Sequence, residues 1–124
     1  MNERYEKGLA VRKQVLGGSQ VEATVKAAES ALNEDLQKYL TEFVWGDIWS
    51  RPEMSLRDRS LVTLGMLMAL NRSVELKTHI RGALNNGLSI DEIAEVFLHG
   101  AAYCGFPAAM TSLRLAKEVV AANP

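Results

Sequence analysis

A chain of 124 residues has room for one domain with one core, and we read 1–124 as a single domain. Its formal net charge of −1 offers no basic field for a nucleic acid and no polybasic patch for a membrane surface. One cysteine, Cys104, excludes an internal disulfide framework, and two histidines are too few for an ordinary zinc site, so no metal is expected.

The N-terminus, MNERYEKGLAVRK, is charged from its third residue, so we expect no signal peptide and a cytoplasmic protein. Residues 3–16 predict a first helix, ended by Gly17-Gly18. Residues 20–32 and 34–48 predict a second and a third, divided near Asn33. Trp45 and Trp49 flank Gly46-Asp47-Ile48; large aromatics anchor cores or interfaces, and Trp45 is also a candidate wall of a pocket. Asp47 reads as a salt-bridge residue.

Residues 49–54 predict a loop, because Pro52 disfavours helix at Arg51. Ser55-Leu56-Arg57-Asp58 resembles a capping box opening a helix through Leu70. Its stretch LVTLGMLMAL is apolar on every face, which predicts a central buried helix. That longest apolar run is half of what a membrane span needs. Ser73 to Asn86 predicts the next helix, with Gly87 as its left-handed stop. Ser89-Ile90-Asp91-Glu92 is a second capping box, Gly105 closes that helix, and Pro107 sits in the first turn of the last one. Strand signals are nearly absent. The result is an all-α, single-domain bundle of about six to seven helices. A monomer of this size buries only about two thirds of its chain surface. With 48% hydrophobic residues, the surplus predicts an oligomer.

One helix carries polar groups beside its core stripe. At about 100° per residue, Leu76, Ile80, Ala83, Leu84 and Gly87 form the apolar stripe. Arg72, Glu75 and His79 share the strip next to it at spacings of three and four, together with Gly82 and Asn86. Lys77 and Arg81 point toward solvent. A carboxylate one turn from an imidazole orients the ring and raises its pKa, which makes Glu75 and His79 an acid/base pair. The same spacing also fits an ion pair that ties two helices together. Gly82 leaves space for a small ligand. On the following helix, His99 lies opposite the stripe of Ile90, Ile93, Ala94, Phe97 and Ala101, near Glu95 and Tyr103. His99 and Tyr103 read as a subunit contact or as substrate contacts across an interface. Cys104, in an apolar setting, reads as a packing residue. No Gly-rich phosphate loop and no serine-nucleophile motif is present.

NRSVELKTHIRGALNNG, followed by DEIAEVFLHGAAYCGFPAA, resembles the signature of the carboxymuconolactone decarboxylase family, and WGDIWSRP upstream matches its decarboxylase branch. The likeness runs from about residue 4 to residue 120. Another branch, the alkylhydroperoxidase-D peroxidases, carries a Cys-x-x-Cys pair with a histidine four residues later. Here Arg72 and Glu75 hold the cysteine positions and His79 is kept, so dithiol chemistry is excluded.

The resemblance implies a lyase of the 3-oxoadipate pathway of protocatechuate breakdown, converting 4-carboxymuconolactone to 3-oxoadipate enol-lactone and carbon dioxide without cofactor. It also implies a homohexamer built as a trimer of dimers. The substrate class is a small anionic lactone whose unsaturation supplies the electron sink. The reaction then needs an oxyanion donor, a proton source and an anchor for the retained carboxylate. His79 is expected as donor and proton source, with Glu75 charging it or relaying the proton. Arg72 and Arg51 are the expected anchors. The alternatives are an enzyme acting on a related lactone or oxo acid, and a non-catalytic helical binding protein.

Overall fold

The computed structural model describes residues 2–29 and 33–122. Among them are seven α-helices and no strand. They are α1 Glu3–Leu16, α2 Gly18–Glu29, α3 Glu34–Leu40, α4 Leu56–Ala69, α5 Ser73–Asn85, α6 Ile90–Cys104 and α7 Phe106–Ala122. The all-α expectation is met. The end expected for the second helix, 30–32, lies outside the described residues. Where one helix was expected over 34–48, α3 instead passes into a π-helical stretch, Thr41–Trp49. The residues fall into two compact units, one ending at Leu56 and one beginning at Arg57.

In the first unit, α1 lies along the π-helical stretch. Two glycines make that approach possible. A Cβ on Gly8 would stand 2.7 Å from the Gly46 nitrogen, and one on Gly46 would stand 2.6 Å from the Arg4 carbonyl oxygen. Behind this contact Val15, Leu16, Val21, Trp45 and Trp49 form a core. The two indole rings stack with centroids 4.8 Å apart. Arg12 is buried in the same unit and donates to Thr41 Oγ1 at 3.1 Å and to Gln37 Oε1 at 2.9 Å. Burial without a carboxylate partner lowers its pKa. Asp47 is held by the fork of Arg4, at 3.1 and 2.7 Å, which lowers the carboxyl pKa.

In the second unit, Leu64 and Met68 of α4, Leu76, Ile80 and Ala83 of α5, Ile93 and Phe97 of α6, and Leu115 and Val119 of α7 share one core. The helix ends follow local chemistry. Ser89 Oγ accepts from the Glu92 N–H at 3.0 Å, and Glu92 Oε1 accepts from the Ser89 N–H at 2.9 Å, a complete capping box. At the end of α5, Gly87 has φ +94°, and the N–H groups of Leu88 and Gly87 donate to the carbonyls of Ala83 and Leu84. Asn71 does the same work for α4 at φ 58°, with Arg72 N–H donating to Leu67 O at 3.0 Å.

The expectation that α4 is buried all round is not met. Only the stripe Ser60, Leu64 and Met68 is buried, while Val62 and Met66 stand on an exposed face. An i, i+4, i+8 stripe is all that one supporting layer covers.

Candidate functional site

The strip on α5 runs from solvent into the protein. Arg72 and Glu75 are exposed, His79 is half-buried, and Gly82 is buried. Arg72 is the N-cap rather than a helical residue, with φ −93° and ψ 75°. Its carbonyl accepts from the Leu76 N–H at 2.8 Å, and its guanidinium therefore leaves from the positive end of the α5 dipole. His79 Nδ1 is shielded from solvent.

Sequence reasoning expected Glu75 to charge His79. The structure corrects this. Burial lowers the His79 pKa from 6.5 to about 4, and the opposing pull of the Glu75 carboxylate is the smaller effect. Glu75 is exposed, so water screens it, whereas the desolvation of the ring is not screened. The imidazole is neutral at pH 7.

Two residues near this strip carry no sequence motif. Ser60, on the buried stripe of α4, accepts from Asn86 Nδ2 at 2.9 Å, which ties α4 to the C-terminus of α5. The only available signal was a serine at i−4 from Leu64 in an otherwise apolar stripe. Lys77, expected in solvent, is half-buried and pairs with Glu118 of α7 at 3.5 Å.

The remaining candidates lie elsewhere. Trp45 is 3% exposed in the core of the first unit, consistent with an anchoring role. Arg51, in the same unit, is exposed and pairs with Glu53 at 3.5 Å. His99 and Tyr103 stack at 5.3 Å on the exposed face of α6. They line an open cavity of about 910 Å³ between α4 and α6. Its described lining holds Asp91, Glu92 and Glu95 but no lysine or arginine. Cys104 is exposed at this cavity rather than packed, because Gly105 ends α6 before any element covers the thiol. Among the described residues no group of three or more His, Cys, Asp or Glu side chains is placed to hold a metal ion. No described helix is long and apolar enough to cross a membrane.

Residues 34–118 match the model of the carboxymuconolactone decarboxylase family. The chain belongs to that family. Within it, the chain is 41% identical over 117 residues to a 4-carboxymuconolactone decarboxylase of Acinetobacter baylyi, a match covering 94% of this chain and 87% of the relative. It is 37% identical over 116 residues to a nitrosuccinic acid decarboxylase of Metarhizium robertsii, covering 94% of this chain and 80% of the relative. The identity with the Acinetobacter decarboxylase over 94% of the chain supports an enzyme of this type, and Arg72, Glu75 and His79 all fall inside the span matched by the family model.

Proposed function

We propose that this chain removes one carboxylate from 4-carboxymuconolactone, giving 3-oxoadipate enol-lactone and carbon dioxide in protocatechuate breakdown in the cytoplasm. The observation that carries this reading is the neutral, half-buried imidazole of His79, seven residues inward from the exposed cation Arg72. That spacing is about 10.5 Å along the helix axis, which the long arginine stem shortens. The match to 34–118 draws on residues of both units and supports one family domain.

The names of the two relatives have a chemistry in common. Nitrosuccinic acid and the lactone each carry a carboxylate on a carbon joined to an electron-accepting group. When the carbon–carboxylate bond breaks, the electron pair passes to an oxygen, of the nitro group in one case and of the carbonyl in the other. For the lactone, carbon dioxide leaves a dienolate, and a proton then adds to the carbon beside the carbonyl. A neutral imidazole N–H donates a hydrogen bond to that oxygen without needing a charge of its own. Shielded from water, such a donor lowers the barrier by roughly 3–4 kcal/mol. Arg72 holds the carboxylate that stays. Glu75, exposed one turn before His79, relays the returning proton from solvent. A dianion bound beside the ring also raises the imidazole pKa, which lets His79 share in that transfer. No bound organic cofactor is required, because the unsaturated ring is the sink.

Self-association, as a hexamer of three dimers, belongs to the same proposal. It is supported by large exposed apolar side chains in the second unit, among them Met66, Leu98, Tyr103 and Phe106.

The test is a spectrophotometric assay with 4-carboxymuconolactone generated enzymatically in place. Wild type turns it over, and His79→Ala, with unchanged helical content, loses about 100-fold or more in kcat. Retention of activity within a few-fold removes His79 from the mechanism. Turnover of nitrosuccinate but not of the lactone replaces the substrate and keeps the chemistry.

A further inference from the structure

The open cavity between α4 and α6 is poorly suited to the substrate proposed above. A dianion entering between α4 and α6 would meet Asp91 and Glu95 with no lysine or arginine in the described lining, while Glu92 is already paired with Arg57 and caps the Ser89 N–H. Apart from His99 the rest of the wall is largely apolar, with Met66 at 60% and Tyr103 at 81% exposure. An apolar trough edged by acids fits a helix that is apolar along one line and basic at its end.

The exposed face of α7 has that character. Phe106, Met110 and Leu113 fall on one line at i, i+4 and i+7, exposed by 71%, 63% and 37%. Lys117 continues the line at i+11, and Arg114 flanks it, both exposed.

Gly65 adds an independent reason. It lies inside α4 on the groove wall, where glycine costs about 1 kcal/mol relative to alanine. Among the described residues nothing requires it, since a Cβ there would meet no atom within 4 Å. The other glycine of the groove, Gly100, differs: its Cβ would collide with the Met68 side chain, so close packing inside the chain accounts for it. A glycine with no internal reason, in a floor that faces outward, marks the close approach of something from outside.

We propose that the α4–α6 groove receives the exposed face of α7 from a second copy of this chain, with Lys117 and Arg114 opposite Asp91 and Glu95 of α6. This rests on the self-association reading above and names the surfaces that carry it. His99 and Tyr103 then become interface residues, covered on assembly.

Sedimentation equilibrium over graded concentrations tests it on the full chain. Glu95→Lys and Lys117→Glu each weaken association about tenfold or more, and the double variant recovers to within about threefold of wild type. Gly65→Leu fills the trough from a position whose added Cβ meets nothing within 4 Å, so it abolishes association while leaving the urea midpoint of the dissociated chain unlowered. A wild type that is monomeric throughout overturns both this pairing and self-association. A wild type that associates while the reversals and Gly65→Leu leave association unchanged overturns only the pairing. Weakened single variants without recovery in the double likewise overturn the contact between the two charges. Turnover on the lactone is read separately, so failure of the decarboxylase reading does not alter these outcomes.

Discussion

His79 sits between two opposed effects, a carboxylate one turn away and a dry surrounding, and the dry surrounding wins. The sign of the consequence follows. The folded-state pKa, about 4, lies below the ordinary 6.5, so the unfolded chain binds the proton more readily. The full contribution is present above pH 6.5 and is lost as pH falls toward 4. Between pH 7 and pH 5 the loss is about 2 kcal/mol, at 1.36 kcal/mol per pKa unit. Urea denaturation at the two pH values measures it, and His79→Gln should reduce the wild-type fall by that amount. An unchanged fall in the variant means that the ring is solvated. Spacing alone located His79 beside the core stripe, because the 3.6-residue period is set by the backbone. It did not give depth, which depends on the neighbouring helices. The same blindness misjudged Cys104, whose apolar neighbours in sequence do not enclose it in space.

Among the helices, boundaries were legible wherever a residue has a local reason to stop the chain. Gly17 at φ +95°, Gly87 and the Ser89–Glu92 box each act within a few residues of themselves. The π-helical stretch was not legible, since Thr41–Trp49 has the apolar spacing of an ordinary helix. What distinguishes it is tertiary: Gly8 and Gly46 bring α1 close, and Arg12 bonds to Thr41. Gly8→Ala therefore has two effects of opposite sign. It gains about 1 kcal/mol of helix propensity and loses about 1–3 kcal/mol or more to a methyl group placed against the Thr41 carbonyl. The expected outcome is a net destabilisation of about 1–2 kcal/mol by urea melting. Gly18→Ala, where an added Cβ meets nothing within 4 Å, should show no loss. Equal behaviour of the two variants would mean that α1 and the π-helical stretch are not in that contact.

For the whole molecule, composition was a fair guide to surplus apolar surface but not to its place. The run from Leu61 to Leu70 looked like the centre of a core and instead presents Val62, Met66 and Leu70 outward, exposed by 44%, 60% and 66%. A sequence cannot separate burial within one chain from burial between copies, since both reward the same side chains. Mass action separates them. If copies cover this face, the melting temperature rises with protein concentration; a melting temperature constant over a hundredfold range would contradict assembly. One feature joins that face to the chemistry. Only Leu70, Asn71 and Arg72 separate α4 from the His79 helix, with Asn71 at φ 58° and three backbone hydrogen bonds closing the bend. So short and bonded a corner leaves the backbone little freedom, and a displacement of the trough wall is passed on to the first turn of α5.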